Sequence, residues 1–492
     1  MNKSYSKKSE NKRSIPVKKG TGNGCPLYKK CGGCQLQNMT YDEQLSYKET
    51  KAIRFLGKFG HVEEIIGMKN PYHYRNKVQA AFGTTRGGKI VSGVYQSSSH
   101  RIVCVDDCKI EDTTADKIIV SVRKLISQFK LSPFNEDTGK GFLRHVLVRR
   151  GFTTGEIMVV LVTATPVFRC KNDFISALLE IHPEITTIVQ NINPMHTSMV
   201  LGERETVLFG KGYITDILCG CKFRISPRSF YQINPVQTEK LYRIAVDFAN
   251  LNGSETVIDA YCGTGTIGIV AAEKAKRVFG VELNSDAVHD AIINAKVNNV
   301  ENIRFYNADA GEFMRDCAEN GERIDTVFMD PPRAGSSREF LSSLVKLSPK
   351  KVVYISCNVE TQARDLMYLV KNGYKVRKIQ PVDMFPHTNH VETVVQLSRK
   401  RPDTYIDLEI DLDELDRTAA EAKPTYDEIK EYVFKNYGLK VSSLYISQVK
   451  RKLGFEVGES FNKPKSADAK QPQCPEEKER AIMEAFKYYR MI

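Results

Sequence analysis

The chain contains 492 residues, 41% of them hydrophobic and 27% charged, a composition typical of a globular protein with two to four domains. It has no run of 18 apolar residues and no apolar segment near its basic start. These absences exclude a transmembrane helix and argue against a secretory signal, so we expect a cytoplasmic protein. The formal net charge of +13 favours an acidic partner such as nucleic acid.

Residues 1–24 carry seven Lys or Arg and one Glu among mostly polar side chains, which predicts a disordered basic tail. A cysteine array follows, with glycines that would let the backbone wrap a metal centre, and its members are Cys25, Cys31 and Cys34. A fourth thiolate could come from Cys104 or Cys108. From these residues alone, zinc and an iron–sulfur cluster fit equally well.

The segment from about 70 to 230 consists mostly of short strand patterns interrupted by two helical patterns, at 112–129 and 171–181. Two apolar runs, 144–150 and 156–164, flank a Gly-rich turn and predict a hairpin. We therefore expect an α+β domain rich in antiparallel sheet.

Basic side chains recur on this hairpin and just before it. If they share one face of the sheet, they form a surface that binds a polyanion such as RNA; the alternative is an ordinary solvated face. These side chains belong to Arg75, Lys77, Arg144, His145, Arg149 and Arg150.

From about 231 to 400, strand patterns alternate with helical patterns, which predicts a doubly wound parallel sheet closed by an antiparallel hairpin. The loop Gly263–Gly268 fits G-x-G-x-x-G between a strand and a helix. Glu282 ends the next strand, where an acidic side chain binds ribose hydroxyls, and Asp309 after the third strand suits an adenine amino group. These features leave NAD possible, but Asp330-Pro-Pro-Arg333 suits methyl transfer better than hydride transfer. Arg333 stands where amino-group methylases usually carry an aromatic residue.

The buried strand pattern at 352–356 ends on Cys357, which places a thiol at the carboxyl edge of the sheet. Ligands of open α/β sheets bind at that edge, so the thiol indicates an enzyme with a covalent step. The alternative is that Cys357 is a small buried hydrophobic residue.

Residues 401–422 are acidic and predict a linker. Two amphipathic helices, at 426–437 and 443–453, follow it, and they predict a small helix-turn-helix-like module.

With these motifs in place, residues 25–400 resemble the bacterial RNA uracil-5 methyltransferases, which make 5-methyluridine in 23S rRNA and tRNA. The resemblance rests on several separate motifs taken together. They are the Cys25/Cys31/Cys34 array, Leu143-Arg144-His145, Ser229-Phe230-Tyr231-Gln232-Ile233-Asn234, Asp259–Gly265, Asp330–Arg333, Ile355–Asn358 and His390-Val391-Glu392.

The resemblance implies an α/β fold of the class I S-adenosylmethionine-dependent methyltransferase type, a Rossmann-like doubly wound sheet at 231–400. It also implies a central α+β RNA-binding domain at 70–230 and a small iron–sulfur module at 25–69 and 104–111. The segment 401–492 is left as a C-terminal helical extension. A monomer is expected.

The resemblance further implies a role for each site residue. Cys357 would be the nucleophile and Glu392 the general base. A 4Fe-4S cluster would be bound by Cys25, Cys31, Cys34 and Cys108. S-adenosylmethionine would be contacted by Gln232, Tyr261, Thr266, Glu282, Asp309 and Asp330.

The cysteine array favours 23S rRNA over tRNA as the substrate, because such arrays are typical of the rRNA enzymes. A cytosine-5 methyltransferase and a non-catalytic RNA-binding or ribosome-assembly factor on the same fold are the alternatives. For catalysis, we expect the site to lower the pKa of Cys357. The chain departs from the family in three respects: 24 residues leave no room for an N-terminal oligonucleotide-binding barrel, Val359 replaces a frequent proline, and residues after 400 lie outside the family core.

Overall fold

The computed structural model describes residues 24–96, 99, 101–195, 199–400, 426–453, 455 and 473–489. The predicted disorder of residues 1–23 and the predicted linker at 401–422 lie outside these residues. The chain divides into two compact units, Met1–Arg401 and Pro402–Ile492, and the boundary falls where the sequence predicts the C-terminal extension to begin.

The described part of the first unit contains both α-helices and β-strands, and each type is numbered separately in chain order. The α-helices are α1 (Tyr28–Cys31), α2 (Tyr41–Leu56), α3 (Thr113–Gln128), α4 (Lys171–Ile181), α5 (Pro235–Ala249), α6 (Thr266–Ala272), α7 (Ser285–Val297), α8 (Ala310–Glu319), α9 (Arg338–Leu347) and α10 (Val359–Lys371). The strands are β1 (Lys77–Thr84), β2 (Ile90–Tyr95), β3 (Ile102–Cys104), β4 (Leu143–Arg150), β5 (Ile157–Thr163), β6 (Ile185–Ile192), β7 (Arg204–Phe209), β8 (Ile214–Leu218), β9 (Cys221–Ile225), β10 (Thr256–Ala260), β11 (Arg277–Glu282), β12 (Ile303–Asn307), β13 (Thr326–Met329), β14 (Lys351–Ser356), β15 (Tyr374–Val382) and β16 (Glu392–Arg399).

The first seven strands form one sheet in the order β3-β2-β1-β4-β5-β6-β7. The predicted hairpin is confirmed as the antiparallel pair β4–β5, and α4 connects β5 to its parallel neighbour β6. Helices α3 and α4 cover one face of this sheet. The opposite face contributes Leu147 and Met158 to a core shared with α5 and the β8–β9 hairpin. Strand β4 is consequently buried on both faces.

The second large sheet has the order β12-β11-β10-β13-β14-β16-β15. Strands β10 to β14 run parallel, and β15 and β16 form an antiparallel hairpin at one edge. The predicted doubly wound sheet closed by a hairpin is therefore confirmed. Its central strands β10, β13 and β14 are buried along nearly their whole length because helices cover both faces, whereas the edge strands β12 and β15 expose polar residues.

Helix α2 is a feature that the sequence analysis did not predict. Thr40 and Glu43 form a capping box at its start, which satisfies backbone N–H groups of the first turn. Ala52 and Leu56 are fully buried against the second sheet. This part of the segment that the sequence assigned to the iron–sulfur module therefore packs on the Rossmann-like sheet.

The β8–β9 hairpin also packs with the second sheet. The side chains of Asn298 and Asn294, on or next to α7, accept hydrogen bonds from the backbone N–H groups of Lys222 and Arg224. The central sheet thus ends at β7, and residues 214–225 pack against the helices of the Rossmann-like region.

The described part of the second unit contains three helices, α11 (Tyr426–Tyr437), α12 (Ser443–Lys452) and α13 (Glu476–Tyr488). The first two match the predicted helices. Their apolar faces, including Ile429 and Ile446, bury against Ile482 and Phe486 of α13, so the three helices form a small core of their own.

Candidate active site

Five parallel strands end at the same edge of the second sheet, and the predicted site residues lie at their carboxyl ends. Asp330 comes directly after β13, and Cys357 comes directly after β14. The antiparallel strand β16 begins with Glu392, and its next residue, Thr393, pairs with Ser356 at the end of β14. This register brings Glu392 beside Cys357 although 34 residues separate them in the chain.

Cys357 is half-buried just before α10, whose N-terminus is capped by the side chain of Asn358. Burial raises the pKa of the Cys357 thiol to about 11; the Glu392 and Asp330 carboxyl groups also raise it, while Arg333 lowers it. The expectation that the site lowers this pKa is therefore wrong for the protein without RNA. Desolvation and two acidic neighbours outweigh one guanidinium and the helix N-terminus.

Glu392 and Asp330 form an acidic pair next to the thiol. Burial raises the pKa of Glu392 well above its usual range, and the charge of Asp330 raises it further. Burial also raises the pKa of Asp330 to about 7. Two desolvated carboxyl groups beside each other favour a shared proton, and such pairs are typical of acid–base catalysis.

Arg333 is a site residue whose role the sequence analysis missed. The charge of its guanidinium lowers the pKa of the Cys357 thiol. Its backbone carbonyl accepts hydrogen bonds from Asn358 Nδ2 at 3.1 Å and Thr361 Oγ1 at 3.2 Å. Arg333 is thus attached to the start of α10, next to the thiol. Its place after Asp330-Pro-Pro was noted, but only the fold shows what it contacts.

The glycine loop between β10 and α6 has the expected form. Both oxygens of Glu282 accept backbone hydrogen bonds, from Gly263 N at 3.0 Å and Asn284 N at 2.9 Å. Gly265 adopts a left-handed φ of +80°, and a Cβ there would lie 2.8 Å from the ring of Phe305. Glycine is therefore required at position 265 for both backbone conformation and space.

The remaining predicted cofactor residues lie around this loop, with one exception in the preceding segment. Tyr261 stacks on Phe340 at 5.0 Å between ring centroids, and burial raises its pKa to about 12. The Thr266 hydroxyl lies 3.0 Å from that of Tyr242. Asp309 caps the N-terminus of α8 and is exposed to solvent. Gln232 precedes α5 and is partly exposed.

The buried carboxyl group of Asp259, near the end of β10, indicates the kind of ligand that the loop can bind. One oxygen accepts a 2.7 Å hydrogen bond from Gly268 N, while the other is buried without a hydrogen-bond partner. Burial raises the pKa of Asp259 to about 7, and the charges of Asp330 and Glu282 contribute. An acidic crevice beside a glycine loop fits S-adenosylmethionine, which carries a sulfonium and an ammonium group.

Comparison with known proteins agrees with this geometry. The family model for tRNA (uracil-5-)-methyltransferase matches residues 40–400. A Clostridium tetani protein described as an uncharacterized RNA methyltransferase is 45% identical over 378 residues, which cover 76% of this chain and 82% of the relative. A Halalkalibacterium halodurans relative with a similar description is 43% identical and covers 78% of this chain and 89% of its own length.

Among solved structures, the chain is similar to the Pyrococcus abyssi tRNA (uracil-54, C5)-methyltransferase in complex with S-adenosyl-L-homocysteine. The TM-score is 0.63 and the identity 32%, with 74% of this chain and 85% of that chain covered. The chain belongs to the RNA uracil-5 methyltransferase family.

The predicted basic face of this RNA uracil-5 methyltransferase is wrong for the hairpin residues. Arg144 is 2% exposed and binds Glu136 and the carbonyl of Asn193. Arg149 is 4% exposed and donates to the carbonyl of Ser229 at 2.6 Å. These cations are structural because both faces of β4 are covered.

His145 and Arg150 do not contribute an unpaired positive charge to this face either. Burial lowers the pKa of His145 to about 4, so its ring is neutral at physiological pH. Arg150 forms an ion pair with Asp112 at 2.8 Å. Of the predicted basic set, Arg75, Lys77 and the ion-paired Arg150 are partly exposed. Arg75 and Lys77 precede the hairpin. They lie by the segment that carries Gln232, since Asn76 N donates to the carbonyl of Ile233.

The structure brings the four predicted cysteine ligands of this methyltransferase into one neighbourhood. Burial raises the pKa of the Cys34 thiol, and the nearby Cys31 and Cys25 thiols raise it further. Cys34 and Cys108 pack against the same small hydrophobic cluster. Cys104, the alternative fourth ligand, lies instead 3.1 Å from Arg123. Within the described ranges, however, no three His, Cys, Asp or Glu side chains form a group that could hold a metal ion. The iron–sulfur module is therefore not confirmed.

Across the same ranges of this family member, the helices are too short or too polar to cross a membrane.

Proposed function

We propose that this enzyme transfers a methyl group from S-adenosylmethionine to C5 of a uridine in 23S rRNA, through a covalent bond between Cys357 and C6 of uracil. The observation that carries the proposal is the juxtaposition of a thiol, a buried carboxyl group and a guanidinium at one sheet edge, next to a glycine loop. When bound, S-adenosylmethionine supplies the methyl group.

The first step requires the thiolate of Cys357. Uracil C5 is a poor nucleophile, but addition of a thiolate to C6 converts the ring into an enolate whose C5 accepts the methyl group. The positive charge of Arg333 favours the thiolate over the thiol. The flipped base would also exclude water from the crevice and bring its carbonyl oxygens towards Arg333.

The last step requires a base. After methyl transfer, C5 carries both a methyl group and a proton; Glu392 removes that proton, the C5–C6 double bond re-forms and the Cys357 thiolate leaves. Its raised pKa makes the Glu392 carboxylate a stronger base than an ordinary glutamate. Asp330, beside it, is placed to hold the edge of the flipped pyrimidine.

S-adenosylmethionine would be held by the six residues that line the loop and the neighbouring strand ends. Glu282 still has acceptor capacity for ribose hydroxyls after its two backbone bonds. The six residues are Gln232, Tyr261, Thr266, Glu282, Asp309 and Asp330. Asp259, which the sequence analysis used only as part of a motif, adds a buried oxygen without a hydrogen-bond partner.

We also propose a 4Fe-4S cluster on Cys25, Cys31, Cys34 and Cys108. Support comes from the spacing of the first three and from the packing of Cys34 and Cys108 against Tyr74 and its neighbours. Anaerobically purified protein should contain about four irons per chain, and stoichiometric zinc without iron would contradict the proposal.

The choice of 23S rRNA rests on the cysteine array alone. The matching family model and the Pyrococcus abyssi structure are both described as tRNA enzymes, so tRNA uridine is the alternative substrate. Both RNAs, isolated from a strain lacking this gene, should be incubated with the enzyme and mapped for 5-methyluridine. Methylation confined to tRNA would overturn the rRNA assignment.

The mechanism is tested with two variants. Cys357→Ala should abolish both methylation and any covalent RNA complex. Glu392→Gln keeps the size of the side chain but removes the base, so the methylated adduct should accumulate and survive a denaturing gel. General-base steps contribute about 10²–10⁴-fold, so slow residual turnover is expected. A Cys357→Ala protein that still methylates would refute the assignment.

A further inference from the structure

We propose that Lys48 and Asp383 are positioning residues for the general base, acting through the loop that leads into Glu392. Residues 383–391 connect β15 to β16, and Val382 at the end of β15 pairs directly with Glu392. This loop, here called the base loop, therefore begins and ends at the backbone pair that holds the base. The inference rests on the proposed role of Glu392.

Helix α2 holds the first half of the base loop through a buried ion pair. Lys48 Nζ lies 2.5 Å from Asp383 Oδ1, and both side chains are fully buried. Lys48 also donates to the carbonyl of Phe385 at 2.9 Å, while the Tyr41 hydroxyl donates to the other oxygen of Asp383 at 2.9 Å. A buried charge pair is costly to form unless each member has such further hydrogen bonds, so its geometry is sharply defined.

The same helix holds the tip of the base loop. Gln44 accepts a hydrogen bond from His387 N at 2.8 Å, and its amide nitrogen lies 3.1 Å from His387 Nδ1. His387 has a left-handed φ of 68°, an unfavourable conformation for a residue with a side chain. Leu36 N donates to the carbonyl of the same residue at 2.9 Å. The N-terminal segment thus stabilises a conformation that the loop would not favour by itself.

The start of the base loop is also hydrogen-bonded to the segment that follows Gln232, a predicted cofactor contact. Asn234 Nδ2 donates to the carbonyl of Met384 at 2.9 Å, and Gln237 Nε2 donates to that of Asp383 at 3.0 Å. Both donors follow Gln232 closely in the chain. The Lys48–Asp383 pair therefore lies between the N-terminal helix and the segment that carries a predicted cofactor contact, and it fixes the loop against both.

Loss of the pair should affect one chemical step more than the others. Addition of Cys357 and methyl transfer depend on β14, Arg333 and the glycine loop, and the hydrogen bonds of Lys48 go only to Asp383 and Phe385. The segment that carries Gln232 also keeps hydrogen bonds outside the base loop, from Asn76 N to the carbonyl of Ile233 and from Gln237 Nε2 to that of Ile66. Removal of the C5 proton depends on the carboxyl group of Glu392, whose backbone partner adjoins Asp383. A displaced base would slow elimination while the earlier steps proceed, so methylated adduct would accumulate.

The test compares Lys48→Met with wild type in single-turnover reactions on substrate RNA, measuring methyl incorporation and decay of the covalent complex separately. We expect methyl incorporation within about twofold of wild type and adduct decay slowed about tenfold, part of the general-base contribution. Arg54→Met is the matched control, because Arg54 is exposed on the same helix and its guanidinium lies over the ring of Phe55; it should behave as wild type.

Lys48→Met leaves Asp383 buried without its cation and could unfold the protein. The double variant Lys48→Met/Asp383→Leu removes both charges and should fold, since apolar replacement of a buried pair is tolerated. Slow adduct decay in the folded double variant supports positioning. Normal decay there, or equal slowing of incorporation and decay, overturns it. Glu392→Gln serves as a reference: if it traps no adduct, the proposed function has failed rather than this inference.

Discussion

Alkylation of Cys357 in the RNA-free enzyme should have a pH dependence that few reactive cysteines show. With a pKa of about 11, only about one thiol in a thousand is ionised at pH 8, against about one in four for an unperturbed thiol of pKa about 8.5. The rate of reaction with iodoacetamide, followed at this residue by peptide mass spectrometry, should therefore rise about tenfold per pH unit to above pH 10. Cys357→Ala identifies the background.

The same assay measures the contribution of Arg333. The guanidinium favours the thiolate, and we expect a contribution of about 1–1.5 kcal/mol because the Arg333 side chain is exposed and water screens its charge. That value corresponds to about one pKa unit. Arg333→Met should slow alkylation at pH 9 about tenfold, whereas Arg338→Met, in the nearby α9, should leave it unchanged. A plateau in the wild-type profile near pH 8.5, or no effect of Arg333→Met, would refute this account of the thiol.

The remaining predictions concern RNA binding, measured on a Cys357→Ala background. Lys77 and Arg149 lie opposite each other on β1 and β4, but only Lys77 is partly exposed. Lys77→Met should reduce the slope of the logarithm of the RNA-binding constant against log salt by about 0.7–0.9. Arg149→Met should keep that slope and lower the free energy of unfolding by about 1–3 kcal/mol in a denaturant titration. Burial and the neighbouring charges of Arg149 and Arg75 lower the pKa of Lys77 to about 8, so RNA affinity should fall as the pH rises through that value, and Lys77→Arg should extend binding to higher pH. Deletion of 401–492 should raise the KM for RNA more than it lowers kcat on the wild-type background; unchanged kinetics would show that the extension does not dock substrate.

The local patterns of the sequence determined much of the second sheet. The glycine loop, the acidic residue at the end of β11 and the apolar strand before Cys357 depend on neighbours within a few residues, and periodicity and glycine placement report such neighbours well. The β4–β5 hairpin was predicted for the same reason. Helix α2 was missed because its pattern is largely polar and its apolar positions only gain meaning against the sheet that they cover.

Tertiary structure alone decided the electrostatics of the site. Whether Arg149 faces solvent depends on residues 214–246, which cover the second face of β4 and are distant in the chain. The high pKa of Cys357 depends on burial and on Glu392, which the antiparallel return of β16 brings beside it. Sequence patterns report which side chains are present and on which local face they lie. Burial and charge pairing depend on which distant segment packs there, and that is fixed only when the whole chain folds.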